Sequence, residues 1–179
     1  MADQPTDAVA VPTTADLIGR ADAAWATLEA ALAGADEAAL TATGSGGWSA
    51  KDHLAHVESW ERSLLALLER RPPAAAVGTD PATLASTDGD ALNDLLIAPT
   101  KAQPLERVVA DLRGTHARLP AAIAAVPGDD LGRPAAAYQP EELAGDPDSI
   151  ARWIDHICDE HLRDHAAWIR QLTAAQTSR

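Results

Sequence analysis

DEHLRDHAAWI, residues 159–169, sets two histidines, His161 and His165, four positions apart inside a segment of apolar periodicity. Four positions is about one helical turn, so both imidazoles project from one side of a helix. Their surroundings decide which side. Ile150, Trp153, Ile154, Ile157, Cys158, Leu162, Ile169 and Leu172 recur at helical spacing. The segment therefore reads as one helix from about Pro147, capped by Asp146, to about Ala175. On a wheel of about 100° per residue with Ile150 at zero, the apolar arc centres near 40°. His161 falls at about 20° and His165 at about 60°, in the middle of that arc. His156 falls at about 240°, on the polar face with Asp159. His161 and His165 are thus expected to point inward, and His156 outward.

Working outward, three more segments have the same period. One runs from about Thr14, a candidate N-cap, to Gly34, with Leu17, Ala21, Ala24, Trp25, Leu28 and Leu32 as its stripe. The next follows the loop GSGGW (44–48): Ser49 caps it, Asp52 sits in its first turn, and Pro72-Pro73 stops it after about Arg70. The third starts near Pro104 and ends near Val126, before PGDD. No strand pattern interrupts the series, so the fold expected is all-α, a four-helix bundle. The connection 71–103 between the second and third helices is long and holds a short helix, about Asp88 to Ile97. Connections of that length are commonly lids or binding elements. The 127–146 connection carries the only tyrosine, Tyr138, expected to pack over one end of the bundle. Residues 1–13 read as a disordered lead-in with no basic leader segment, and 14–175 as a single domain.

Composition bounds the function. The chain has 179 residues, 14 basic and 27 acidic, for a formal charge of −13. Such a surface repels nucleic-acid phosphates and anionic membranes, and it attracts cations. One cysteine, Cys158, excludes an internal disulfide and fits a cytoplasmic location. A small-molecule substrate is the expected partner, and a homodimer through an exposed helix face is compatible with the fold.

Two adjacent interior imidazoles are poor packing material, because each brings a donor and an acceptor to satisfy. A divalent cation offers one reason for an i, i+4 pair; hydrogen bonds to neighbouring helices offer another. The second helix provides two further histidines. Its apolar arc, through Leu54, Val57, Trp60, Leu64, Leu65, Leu67 and Leu68, puts His53 inside and His56 at the rim. His116 lies on the third helix's stripe and reads first as a satisfied core histidine.

GGWSAKDHLAHVESWE (46–61) resembles the second-helix motif of the DinB-like (YfiT-like) metalloenzyme superfamily, in which a metal-binding histidine follows the tryptophan by eight positions. Here that residue is His56, after Trp48. Residues 91–131 are similar to the middle of that family, and EHLRDHAAWI (160–169) to its final-helix histidine pair. The resemblance covers nearly the whole chain after the tail. It implies a four-helix bundle with one divalent metal held by His56, His161 and His165, preferring His56 where the wheel prefers His53. The activities it implies are thiol-dependent transfer, with a low-molecular-weight thiol cosubstrate, and hydrolysis of small reactive molecules.

A three-imidazole site suits zinc or nickel first, and iron or copper as well. Such a site leaves open positions for water, a thiol or substrate. Around it, Glu160 and Asp164 are expected on a solvated face. Glu58 and Glu61 neighbour the second-helix histidines; Glu61 falls within the apolar arc, where it could orient a histidine or act as a base, with an edge salt bridge the first expectation. Trp48, Trp60, Trp153 and Trp168 cluster near the histidines and are expected first as core anchors, with Trp60, one turn after His56, placed to wall the site; Cys158 is expected as a buried, unreactive thiol. Three function classes share this pattern: a metal-dependent transferase or hydrolase, a non-catalytic protein that binds or sequesters a small molecule, and a structural bundle without metal.

Overall fold

The computed structural model describes residues 11–86 and 89–177. Among them, regular structure is helical, and the one extended pairing is an isolated antiparallel bridge between Pro134 and Ser149. Of the expected lead-in, residues 1–10 lie outside the described residues, and 11–13 are non-helical. No described helix is long and apolar enough to cross a membrane.

Helix α1 spans Thr14–Leu32. Its N-cap is Thr13, one residue before the expected Thr14, because only Thr13 has an acid three positions on. Thr13 Oγ1 accepts from Asp16 N at 3.2 Å, and Thr13 N donates to Asp16 Oδ2 at 3.0 Å. Gly34, at φ +84°, turns the chain just past its end. A short helix, α2 (Glu37–Thr41), is capped by Asp36.

Helix α3 spans Ala50–Leu68 and begins as the sequence indicates. Ser49 Oγ accepts from Asp52 N at 3.2 Å, and Ser49 N donates to Asp52 Oδ2 at 2.8 Å. The acid also faces Lys101 Nζ at 3.1 Å from Oδ1, so its charge is compensated although it is buried. The connection after α3 holds α4 (Pro73–Ala76), α5 (Pro81–Ser86) and α6 (Gly89–Ile97). Helix α6 is the expected short helix; the expected first residue, Asp88, lies outside the described residues.

The expected third helix is divided into α7 (Leu105–His116) and α8 (Leu119–Ala124). Pro120 is the cause: it has no N–H for the His116 carbonyl, and its ring opposes a continuous helix there. The last segment begins with α9 (Ile150–Asp155), not at Pro147. Ser149, rather than Asp146, is its cap, accepting from Arg152 N at 3.1 Å. The first turn is also held by the preceding loop, with Ile150 N donating to Arg133 O and Ala151 N to Leu131 O, both at 2.9 Å. Asp146 is used elsewhere, as an acceptor for Asp148 N and Trp153 Nε1.

After α9 the chain makes a π-helical turn, His156–Glu160, and continues as α10 (His161–Thr177). Helix α1 packs along α10 and the π turn, α3 packs along α7 and α10, and α4 and α6 fold back on α3. Apolar side chains fill the interior in two clusters. One centres on Leu17, Leu64, Ile123, Ile150 and Ile154, and the other on Leu28, Leu54, Leu112, Leu162 and Ile169. Tyr138 closes the first cluster as expected: its hydroxyl donates to Asp130 Oδ2 at 2.9 Å, and the Arg70 guanidinium lies 3.7 Å from its ring centre.

Candidate metal centre

The π turn changes where the last helix points its histidines. It carries about one extra residue, so everything after it lags a straight wheel by about 100°. On that corrected wheel Leu162, Ala166 and Ile169 occupy the centre of the stripe, and these are the residues wholly buried in α10. His161 and His165 move to the flank of the stripe, near 280° and 320° on the same approximate scale. The sequence expectation of mid-arc histidines is corrected accordingly. The two rings sit beside the core, where α10 meets α3.

Helix α3 supplies the opposing rings. His56 Nε2 lies 2.8 Å from His161 Nε2, and His53 Nδ1 lies 2.8 Å from His165 Nδ1. The ring centres of His161 and His165 are 4.4 Å apart, and those of His56 and His165 are 4.7 Å apart. One nitrogen from each of His56, His161 and His165 falls within 4.8 Å of the others. His56 and His165 are buried; His161 and His53 are half-buried. The choice between His53 and His56 thus resolves into two positions: His56 joins the convergent three, and His53 backs His165.

Electrostatics favours neutral rings. Burial, with the neighbouring imidazoles His161 and His53 adding to it, holds His56 down to about 3. Burial, with His156 and His53, holds His161 down to about 4. His165 is lowered further, again by burial first and then by the other three rings of the cluster. His53 is lowered by burial against the opposing charge of Asp52. At neutral pH each ring is uncharged and keeps one bare nitrogen to offer a cation.

The donor set fits a divalent transition ion. Three neutral nitrogens converge, and the buried Nδ1 atoms of His56 and His161 have no hydrogen-bond partner among the described residues.

The histidines line a cavity of about 1210 Å³ between α3, α6 and the last segment. Trp48, Trp60, Trp153 and Trp168 also line it; the first three pack against the core clusters as well, as expected, while Trp168 is exposed. Three of the indoles are pinned at their edges. Trp48 Nε1 donates to Asp94 Oδ1 at 2.8 Å, Trp60 Nε1 to Asn93 Oδ1 at 3.3 Å, and Trp153 Nε1 to Asp146 Oδ2 at 3.1 Å. Two of these bonds tie α6 to the histidine-bearing side of the molecule. Sequence reasoning missed Asn93, Asp94 and Asp148 as cavity residues, since a short helix in a long connection gives no sign of what it covers.

Several expected neighbours of the site face elsewhere. Glu61 is not an edge salt bridge: it is wholly buried, and its Oε1 lies 2.7 Å from Nδ1 of buried His116. His116 also stacks on Trp25 with ring centres 3.9 Å apart, so it is the satisfied core histidine expected. Glu58 is buried as well, accepting from Thr115 Oγ1 at 3.1 Å with Arg62 at 3.5 Å. Both carboxylates therefore serve the α3–α7 contact. Glu160 and Asp164 are exposed, as expected, with Glu160 bonded to Arg152 and to exposed His156. Cys158 is buried in the π turn, and desolvation raises its thiol well above the usual value.

No curated protein and no solved structure matches the chain. The family model for the DinB superfamily matches residues 20–169, which takes in both histidine-bearing helices and the connection that covers them. With an all-helical fold and a histidine cluster able to hold a metal ion, this chain belongs to the DinB superfamily.

Proposed function

We propose that the protein is a metal-dependent enzyme of this superfamily, a thiol S-transferase or a hydrolase acting on a small reactive molecule. His56, His161 and His165 are its metal ligands, and zinc or nickel is the ion that a three-imidazole set favours first. The carrying observation is the convergence of three neutral ring nitrogens within 4.8 Å at the wall of a large cavity. In this reading residues 14–175 form one domain, a four-helix bundle whose members are α1, α3, α7–α8 and α9–π–α10. The long connection between the second and third members supplies the cover.

When bound, the ion supplies Lewis-acid chemistry that makes a water or a thiol nucleophilic near neutral pH. The chain's own groups do the rest. Three uncharged ligands leave the ion its full charge. His53 fixes the orientation of the His165 ring through the 2.8 Å contact between their Nδ1 atoms. The four tryptophans shape the space in which the substrate lies.

Metal analysis of protein purified without an affinity metal tests the reading. One divalent ion per chain is expected, and His56→Ala, His161→Ala and His165→Ala each lose it. A wild-type chain that binds no divalent ion would end the proposal. Turnover of an electrophile panel, with and without added thiols, then separates transferase from hydrolase. Metal and ligand binding without turnover would favour sequestration on the same scaffold.

A further inference from the structure

The lining of the cavity carries a charge pattern of its own. No lysine or arginine is among its lining residues. Three carboxylates are, Asp90, Asp94 and Asp148, and neither Asp94 nor Asp148 makes an ion pair among the described residues. The one side-chain bond of Asp94 is to an indole N–H, which leaves its negative charge uncancelled. The whole chain, at −13, adds to that potential.

The aromatic groups complete the pattern. Trp48, Trp60 and Trp153 spend their only donors on acceptors in α6 and the loop before α9. What remains for a ligand is ring surface, whose face is negative and attracts both flat apolar bodies and cations. Trp48 links the histidines to α6. Its ring centre is 5.2 Å from those of both His53 and His56, while its N–H reaches Asp94. Away from the histidines the lining offers an anion only neutral donors, the hydroxyls of Thr43 and Ser45, the Gln171 amide and the Trp168 N–H, and no cation.

We propose that the cavity selects a ligand joining a planar aromatic body to a positively charged amine, the ring among Trp48, Trp60 and Trp168 and the amine toward Asp94 and Asp148. This deepens the reading of the cavity as the substrate site, and it rests on that reading for its place in catalysis. Binding itself does not need the metal. The ligand's reactive end lies toward the histidines and its charged end toward α6 and the loop before α9.

Calorimetric titration of the full chain, stripped of metal with a chelator, tests this with three probes of one shape: 1-naphthylmethylammonium, 1-naphthylmethanol and 1-naphthylacetate. At pH 7.5 and 0.15 M salt, the ammonium is expected to bind at least tenfold more tightly than the alcohol, and the carboxylate at least tenfold more weakly. The pair Asp94→Asn and Asp148→Asn keeps an acceptor for Trp48 and is expected to bring the ammonium to the alcohol's affinity. Exposed Asp148→Asn alone, which leaves the Trp48 contact untouched, is expected to cost at least threefold. Equal binding of the three probes, binding of none, or a preference that survives in the double variant would overturn the proposal. The last outcome would assign the selectivity to Asp90 or to overall charge. Because the protein is metal-free throughout, failure here leaves the metal measurements standing, and failure there leaves these.

Discussion

His53 Nδ1 lies 2.8 Å from His165 Nδ1, so the ring that the α3 wheel placed inside the bundle meets the last helix directly. One Nδ1 must donate and the other accept. With the proton on His165 Nδ1, its Nε2 lone pair is free for an ion, and His53 fixes the tautomer. His53→Ala is therefore expected to keep bound metal while weakening its affinity about 10- to 100-fold. Competition against a chromophoric chelator measures this. Complete loss of metal, as for His165→Ala, would instead make His53 a ligand.

Ser49 and Asp52 fix the start of α3, and with it the phase of His53 and His56. Ser49→Ala removes the acceptor for Asp52 N and is expected to destabilise the protein by about 1 kcal/mol. For a chain of this size that lowers the melting temperature by about 2–4 °C. An unchanged melting curve would show that packing, not the cap, sets the helix start.

Glu61 should make stability depend on pH with a definite sign. Burial raises its carboxyl above the usual 4.5, against the lowering effect of His116. A group raised in the folded state holds its proton more tightly there than in the unfolded chain. Its contribution is complete below the unfolded value of 4.5 and is lost as pH rises through the folded one. Glu61→Gln stays neutral and keeps an acceptor for His116. Wild-type stability relative to this variant should fall as pH climbs from about 4.5 toward 8. Urea midpoints of the two proteins at pH 5, 6.5 and 8 read it, and a difference moving toward wild type with rising pH would contradict it.

Cys158 should be silent in the folded protein. It is buried, and desolvation followed by the nearby charges of Glu61, Asp155 and Asp159 keeps it a thiol. A disulfide-exchange reagent at pH 8 is expected to leave it unmodified in buffer and to titrate one thiol per chain in denaturant. Rapid labelling of the native protein would place the π turn in solvent.

Local chemistry written in the sequence survived into the fold. Ser49-x-x-Asp52 marks the start of α3, Gly34 stands just past the end of α1, and Pro72-Pro73 follows the end of α3. Cap choice was less legible where two acceptors stood close together. Thr13 replaced Thr14 because of Asp16, and Ser149 replaced Asp146 because the preceding loop already occupied the N–H groups of Ile150 and Ala151. Pro120 was present in the sequence as the break between α7 and α8, but the apolar period ran through it.

By itself, then, the sequence determined that the chain is helical, that His161 and His165 share a face, and that His156 looks outward, because these follow from spacing along one chain. Which of His53 and His56 joins them was a tertiary matter, since it depends on how α3 is rotated against α10. So was the flank position of the pair. It arises from a five-residue π turn that no residue code announces and that is held by packing against α1 and α9. The burial of Glu61 against His116 has the same origin: only the approach of α7 to α3 turns an acid on an apolar stripe into a partnered core residue.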